Sequence, residues 1–358
     1  MSPADGVDVL GAGHEDAGAD DIVEPGAGLG QCAGDDLEAD PRLLVGIVWW
    51  IGVAGHDRCS SGNPHLSADA DGARVADAVL ERGTRRDPLA IHRGSVVVVD
   101  ALRQVDGWPC QHVAVAVVSA AGLEAAHGDE DLPFAWASVT KLATSVAVLV
   151  AVEEGIVGLD DLAGPPGATV RHLLAHASGL PFDGAAPLSP PGHRRIYSNE
   201  GFEVVAAHVA EAAEMPFPEY FEHVWGFALP GSPGHGAHGP LAQLVGVAHE
   251  LVVPTRVSRE TLAEAAAVQF PGLAGILPGF GRYEPNDWGL GFELRDGKRP
   301  HWTGESNSEA TFGHFGRSGT FLWVDPEAGI ALACLTDLEF GDWAQDAWPR
   351  LADAVLAS

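Results

Sequence analysis

At 358 residues and 46% hydrophobic content, the chain is long enough for one large or two ordinary domains and apolar enough for a packed core. Its formal charge of −30 argues against nucleic-acid binding and against docking on anionic membranes, because neither phosphate neutralisation nor a polybasic patch is available. Cys32, Cys59, Cys110 and Cys334 are scattered with no CxxC pair, the usage expected of a reducing compartment.

Residues 1–95 differ from the remainder. The first 41 carry eleven Asp/Glu and no Lys or Arg, a composition that does not fold alone. Residues 43–54 (LLVGIVWWIGVA) form an apolar island, too short for a bilayer span of about 20 residues. The segment is either an acidic tail of low order with a sticky patch, or translated sequence upstream of the native start. No basic region followed by an apolar run opens the chain, so no signal peptide is read and the expected location is cytoplasmic.

Regular signals begin near residue 97. Residues 112–119 (HVAVAVVS) read as a Val-rich strand, with residues 123–127 returning as its partner after Ala120-Ala121-Gly122. Next comes the stretch around which the chain is organised. Residues 142–152 contain only Thr144 and Ser145 as polar residues, so this helix is apolar on every face and is expected in a core. Lys141 stands at its start, and Lys141 and Lys298 are the chain's two lysines, arginine filling the other cationic positions. A desolvated lysine can lose its proton and an arginine cannot. Ser138 lies three residues earlier, on the same helical face.

Residues 169–177 predict a short helix ended by Ser178-Gly179-Leu180-Pro181. Residues 184–192 are a Pro/Gly-rich loop leading to Tyr197-Ser198-Asn199, and Phe202, Val205, Val209 and Ala213 mark the apolar face of a helix stopped by Pro216. Short helices are expected at 219–225, 241–252 and 258–267. Strands come next at 288–294, 311–324 and 330–336, the last two joined by the turn Asp325-Pro326-Glu327-Ala328-Gly329. An amphipathic helix at 343–356 closes the chain. Strands at both ends with helices between predict an α+β domain over 96–358: a central antiparallel sheet from 97–130 and 288–340, flanked by helices, with an inserted helical lobe over about 138–287.

The chemistry follows from residue types. A serine hydroxyl is a poor nucleophile at neutral pH and needs an adjacent base. Lys141 can take its proton or hold a neighbouring phenolate, and Tyr197 is the phenol whose pKa a nearby cation would lower; either could be the base. Asn199 can offer its amide to a substrate carbonyl or steady Lys141. His314 lies among Gly313, Gly316 and Gly319, a strand composition that allows close approach. His172 and His176, at i, i+4, and His235 with His238 lack a third ligand, so no metal is expected.

Ser138-Val139-Thr140-Lys141, Tyr197-Ser198-Asn199 and His314-Phe315-Gly316 fall in the order SxxK, YxN, HxG. The set resembles the penicillin-recognising serine hydrolases: class C β-lactamases, D-alanyl-D-alanine carboxypeptidases and their esterase relatives. Residues 152–161 (VEEGIVGLDD) and 172–181 (HLLAHASGLP) are similar to that family's sequence after the nucleophile helix. The resemblance spans roughly 100–340 and implies a β-lactamase/transpeptidase-like fold. It also implies Ser138 as nucleophile, Lys141 and Tyr197 as catalytic partners, and an oxyanion hole from the backbone N–H groups of Ser138 and Arg317, beside Asn199, His314 and Gly316.

The third motif departs from the family, with His314 for lysine and Phe315 for a hydroxyl residue. Phe315 cannot donate to a substrate carboxylate and His314 is only partly charged near pH 7, although Arg317 could compensate. Residues 226–254 also lack the family's Pro-Leu-Gly-Met-like turn. The expectation is a cofactor-free, metal-independent serine hydrolase acting on a small-molecule ester, amide or β-lactam-like substrate through an acyl-enzyme. The alternatives are a true β-lactamase or D-alanyl-D-alanine carboxypeptidase, and a non-catalytic ligand-binding relative.

Overall fold

The computed structural model describes residues 93–358; the expectations for residues 1–92, including the apolar island at 43–54, lie outside the described residues. The described elements all belong to one unit, which runs to Ser358. A helix α1 (Arg93–Leu102) leads through a 3₁₀ turn (Arg103–Gly107) to strands β1 (Val113–Ser119) and β2 (Gly122–Gly128). β3 (Phe134–Ala135) and a 3₁₀ turn (Ala137–Val139) precede α2 (Thr140–Glu153), α3 (Val170–Leu174), α4 (Glu200–Ala212), α5 (Phe217–Trp225), β4 (His238–Gly239), α6 (Leu241–Val252) and α7 (Arg259–Ala265). The chain ends in β5 (Gly275–Leu277), β6 (Gly281–Tyr283), β7 (Glu293–Leu294), β8 (Phe312–Gly316), β9 (Thr320–Asp325), β10 (Ile330–Thr336) and α8 (Asp342–Leu356).

The expected α+β architecture is present. One antiparallel sheet in the order β2-β1-β10-β9-β8-β7 joins strands from both ends of the domain, and Val113 to Ser119 pair with Thr336 to Ile330. Alternation explains why β1 is apolar throughout: Ala114, Ala116 and Val118 enter a core with α2 and α6, whereas Val115 and Val117 enter a second core with Trp348, Leu351 and Val355 of α8. Successive strand side chains point to opposite faces, and here both faces are covered.

Several boundaries differ from expectation. The sheet does not begin at 97; residues 93–107 are helical, and Val98, Val99 and Leu102 pack into the α8-side core. Four β-branched valines (Val96 to Val99) mislead propensity, which tertiary packing overrides. Within 288–294 only Glu293–Leu294 joins the sheet, and 311–324 is two strands rather than one, turning at Gly319 with φ 78°. The segment expected as an inserted helical lobe also contains the hairpin β5–β6, and β3 pairs with β4.

Lys298 occupies a buried knot. Its Nζ donates to Glu293 Oε1 (2.5 Å) and to the carbonyls of Asp287 (2.7 Å) and Leu294 (2.5 Å), while Glu293 Oε2 accepts from His301 Nε2 (2.9 Å) and Trp302 Nε1 (2.8 Å). Burial raises the Glu293 carboxyl, but Lys298 and His301 outweigh it and hold it down to about 2. A carboxyl depressed on folding adds stability above its unfolded value that is lost as pH falls through the folded one. Lys298→Met, which strands a buried carboxylate, should cost about 3–5 kcal/mol in urea unfolding at neutral pH. It should also flatten the acid limb of the stability curve between 4.5 and about 2.

Candidate active site

Helix α2 brings the serine and the lysine together. Eleven of its 14 residues are buried. It is fastened to the lobe by Thr144 Oγ1 donating to Pro233 O (2.6 Å) and by Trp225 Nε1 donating to Ala143 O (2.9 Å). Ser138 sits in the 3₁₀ turn just before it, preceded by Ala137 at φ 45°, a left-handed conformation that is strained for a residue with a Cβ. The preceding backbone is clamped from the sheet: Ser318 Oγ donates to Ala135 O (2.7 Å) and Thr320 Oγ1 to Trp136 O (2.8 Å). Gly316 is needed at the end of β8, since a Cβ there would lie 2.6 Å from Trp136 O and 3.0 Å from Ala137 Cβ.

Tyr197 reaches Ser138 with its hydroxyl 2.7 Å from Oγ, and the same oxygen lies 3.4 Å from His314 Nε2. His314 Nδ1 is 2.6 Å from the Phe315 carbonyl. A carbonyl only accepts, so Nδ1 carries the ring hydrogen and Nε2 offers a lone pair to the phenol. Lys141 Nζ donates to Asn199 Oδ1 (2.7 Å) and Gly234 O (2.8 Å) and stands 4.8 Å from the centre of the Tyr197 ring. Asn199 thus takes the second of its two expected roles, steadying Lys141, and its Nδ2 donates to Asp183 at 3.4 Å.

Burial governs the charges. It lowers Lys141 to about 7, partly opposed by Glu203 and Asp183, and lowers His314 to about 3 with help from Lys141. The expectation that a nearby cation would lower the Tyr197 phenol is overturned: burial pushes it up, only partly offset by the Ser138 hydroxyl. At neutral pH the phenol and imidazole are uncharged, and Lys141 is the group that titrates. Two neutral acceptors match the two N–H bonds of an uncharged amine, which leaves its lone pair free.

The structure gathers Ser138, Lys141, Tyr197, Asn199 and His314, with Gly316 against the turn. The Arg317 side chain stays outside the buried cluster, 84% exposed and beside Glu339 at 3.4 Å, so its guanidinium is not a buried counterpart of the missing strand lysine. Phe315 packs on the other face of the sheet with Phe280, Trp302, Phe340 and Trp348. The i, i+4 histidines serve separate partners: His172 pairs with Thr169 and stacks on Phe270, and His176 Nδ1 accepts from Ser198 N at 3.2 Å. Sequence reasoning missed Trp288, which meets the rings of His176, Tyr197 and His314 at 4.6, 5.8 and 5.5 Å. It also missed Phe182, stacked on Tyr197 at 5.9 Å, and the carbonyl of Gly234. An isolated aromatic or a backbone carbonyl carries no motif signal.

A sequence model of the Beta-lactamase family matches residues 111–227. A β-lactamase from Mycobacterium bovis is 52% identical, with 72% of this chain and 98% of that one covered and a TM-score of 0.71. EstCE1, a hydrolase with promiscuous acyltransferase activity, is 17% identical over 74% of this chain and 98% of that one, at TM-score 0.59. Unliganded simvastatin synthase from Aspergillus terreus is 16% identical with the same coverage, at TM-score 0.58. These two share the fold. A penicillin-binding protein of Bacillus subtilis is 27% identical over 122 residues, 25% of this chain, and the match spans 27% of that protein. On the M. bovis relative, matched over nearly its whole length, the chain belongs to the β-lactamase family of serine hydrolases.

Proposed function

We propose that the protein hydrolyses an ester or amide through an acyl-enzyme on Ser138. The observation that carries this reading is the Tyr197 hydroxyl 2.7 Å from Ser138 Oγ beside a buried amine whose pKa falls to about 7. Lys141 in its neutral form takes the Ser138 proton as Oγ attacks the carbonyl carbon. The tetrahedral oxyanion is met by the backbone N–H groups of Ser138 and Arg317, each such donor being worth about 3–4 kcal/mol. The leaving oxygen or nitrogen takes a proton from the Tyr197 hydroxyl, which the Lys141 ammonium restores. Water then enters, gives a proton to the same pair and attacks the acyl carbon, and the pair returns that proton to Ser138 Oγ as its bond to the acyl carbon breaks and the acid leaves.

His314 is neutral and the Arg317 guanidinium is exposed beside Glu339, which leaves the strand motif without a buried cation to hold a substrate carboxylate next to the scissile bond. This favours esters and amides over β-lactams. The 52% identical relative from M. bovis is described as a β-lactamase, so a chromogenic cephalosporin belongs in the substrate panel beside short acyl esters and a D-Ala-D-Ala peptide.

A fluorophosphonate should label the native protein and not Ser138→Ala, and lack of labelling of the native protein would return the chain to a ligand-binding role. The labelling rate should climb as pH rises through about 7 and then level; a rate flat across that value removes Lys141 as the base. Lys141→Met should slow acylation by about 10²–10⁴-fold. Gly316→Ala, which drives a Cβ against Trp136 O, should displace the serine turn and slow labelling by about 10²-fold with little change in fold.

A further inference from the structure

Beside Tyr197 lies a cleft of about 490 Å³, within the ~300–1,000 Å³ range of small-molecule sites. One wall is the loop of residues 182–194; the other is the β5–β6 hairpin, tied to it by the Arg195–Gly275 bridge. Phe182, Leu188 and Ile276 border it at 53%, 59% and 63% exposure. Exposed apolar side chains scattered singly are ordinary, but three converging on one concavity that Tyr197, the hydrogen-bond partner of Ser138, also lines mark a binding surface. The floor is rigid: Arg195 donates to the carbonyls of Ala175 (2.5 Å), Gln269 (2.7 Å) and Asn286 (3.1 Å), and Phe182 O accepts from Asn199 N at 2.8 Å.

The charge of the cleft opposes that of the chain. Asp and Glu number 50 against 20 Lys and Arg overall, yet the lining holds Arg194, Arg195, Arg282 and His193 and no carboxylate. Arg195 is consumed by the backbone. Arg194 spends one donor on Leu188 O at 3.1 Å, and Arg282 meets Glu284 at 3.2 Å in an exposed pair, which holds its partners weakly. Both guanidinium groups keep N–H donors for an anion.

We propose that this cleft binds the non-reacting part of the substrate: an apolar body bearing an anionic group, a carboxylate or phosphate, at the end remote from the scissile carbonyl, received by Arg194 and Arg282. The assignment rests on the hydrolase reading and specifies its substrate class. It accounts for a strand motif without a buried cation, because the substrate anion is held across the cleft instead of next to Ser138.

The test compares p-nitrophenyl octanoate with the mono-p-nitrophenyl ester of octanedioic acid, using the full chain. The ω-carboxylate ester should show a kcat/KM about tenfold higher at low salt, and the excess should shrink as salt screens it. Arg194→Gln/Arg282→Gln, with its fold checked by circular dichroism, should remove the excess. Ile276→Asp should lower kcat/KM for both long esters relative to p-nitrophenyl acetate. Equal or lower kcat/KM for the charged ester, or an excess that survives the double substitution, overturns the assignment. Fluorophosphonate labelling separates the two levels: a labelled Ser138 with no charge preference overturns the cleft assignment alone, and an unlabelled Ser138 overturns the hydrolase reading and the assignment with it.

Discussion

A primary amine held out of water between two fixed, neutral acceptors sets the terms for the rest of this molecule. Taking an ammonium into the interior costs several kcal/mol unless it is paired. Lys141 has an amide oxygen and a main-chain carbonyl as its hydrogen-bond partners and feels Glu203 and Asp183 only through space. The lobe is built to keep that arrangement dry. Helix α2 is buried on nearly every side, α4 presents Asn199 at its start, and the segment after α5 folds back to place Gly234 O over the amine. The apolar sequence of α2 therefore serves chemistry as well as packing.

One cause acts on three groups at once. The rings of Tyr197 and Phe202 lie over the amine, and those of His176, Trp288 and His314 pack against Tyr197. The water they exclude would otherwise solvate phenolate, imidazolium and ammonium alike. Phenol rises while imidazole and amine fall, so the neutral forms of all three coexist near neutrality. A histidine on the strand motif fits such a cage where a lysine would add a second buried positive charge beside Lys141.

Much of this was legible in the sequence, for reasons that can be named. The spacing of Ser138 and Lys141 is a helical period, and the valine run of β1 is the signature of a strand covered on both faces. In a chain with three tyrosines, Tyr197 stood out by its place before an asparagine and a helix. The failures are equally physical. Residues 93–102 carry strand propensity yet form a helix because packing against β2 and α8 decides. The three-residue strands β5 and β6 are too short to leave a periodic trace. The direction of the Tyr197 shift depended on the depth of burial, which no local pattern encodes. Gly234 contributes an atom that every residue possesses, so only the fold could select it.

The pairing of β1 with β10 has a consequence for the order in which the protein is made. Strand β1 leaves the ribosome with no partner on its inner edge until Ile330–Thr336 has been synthesised, more than two hundred residues later. Such distant pairing slows folding and leaves an apolar strand edge waiting. Helix α2 can form early, yet the clamp on the backbone before Ser138 comes from Ser318 and Thr320. The nucleophile is thus completed only when the sheet closes, near the end of synthesis, and a partly made chain carries Ser138 without the frame that holds it.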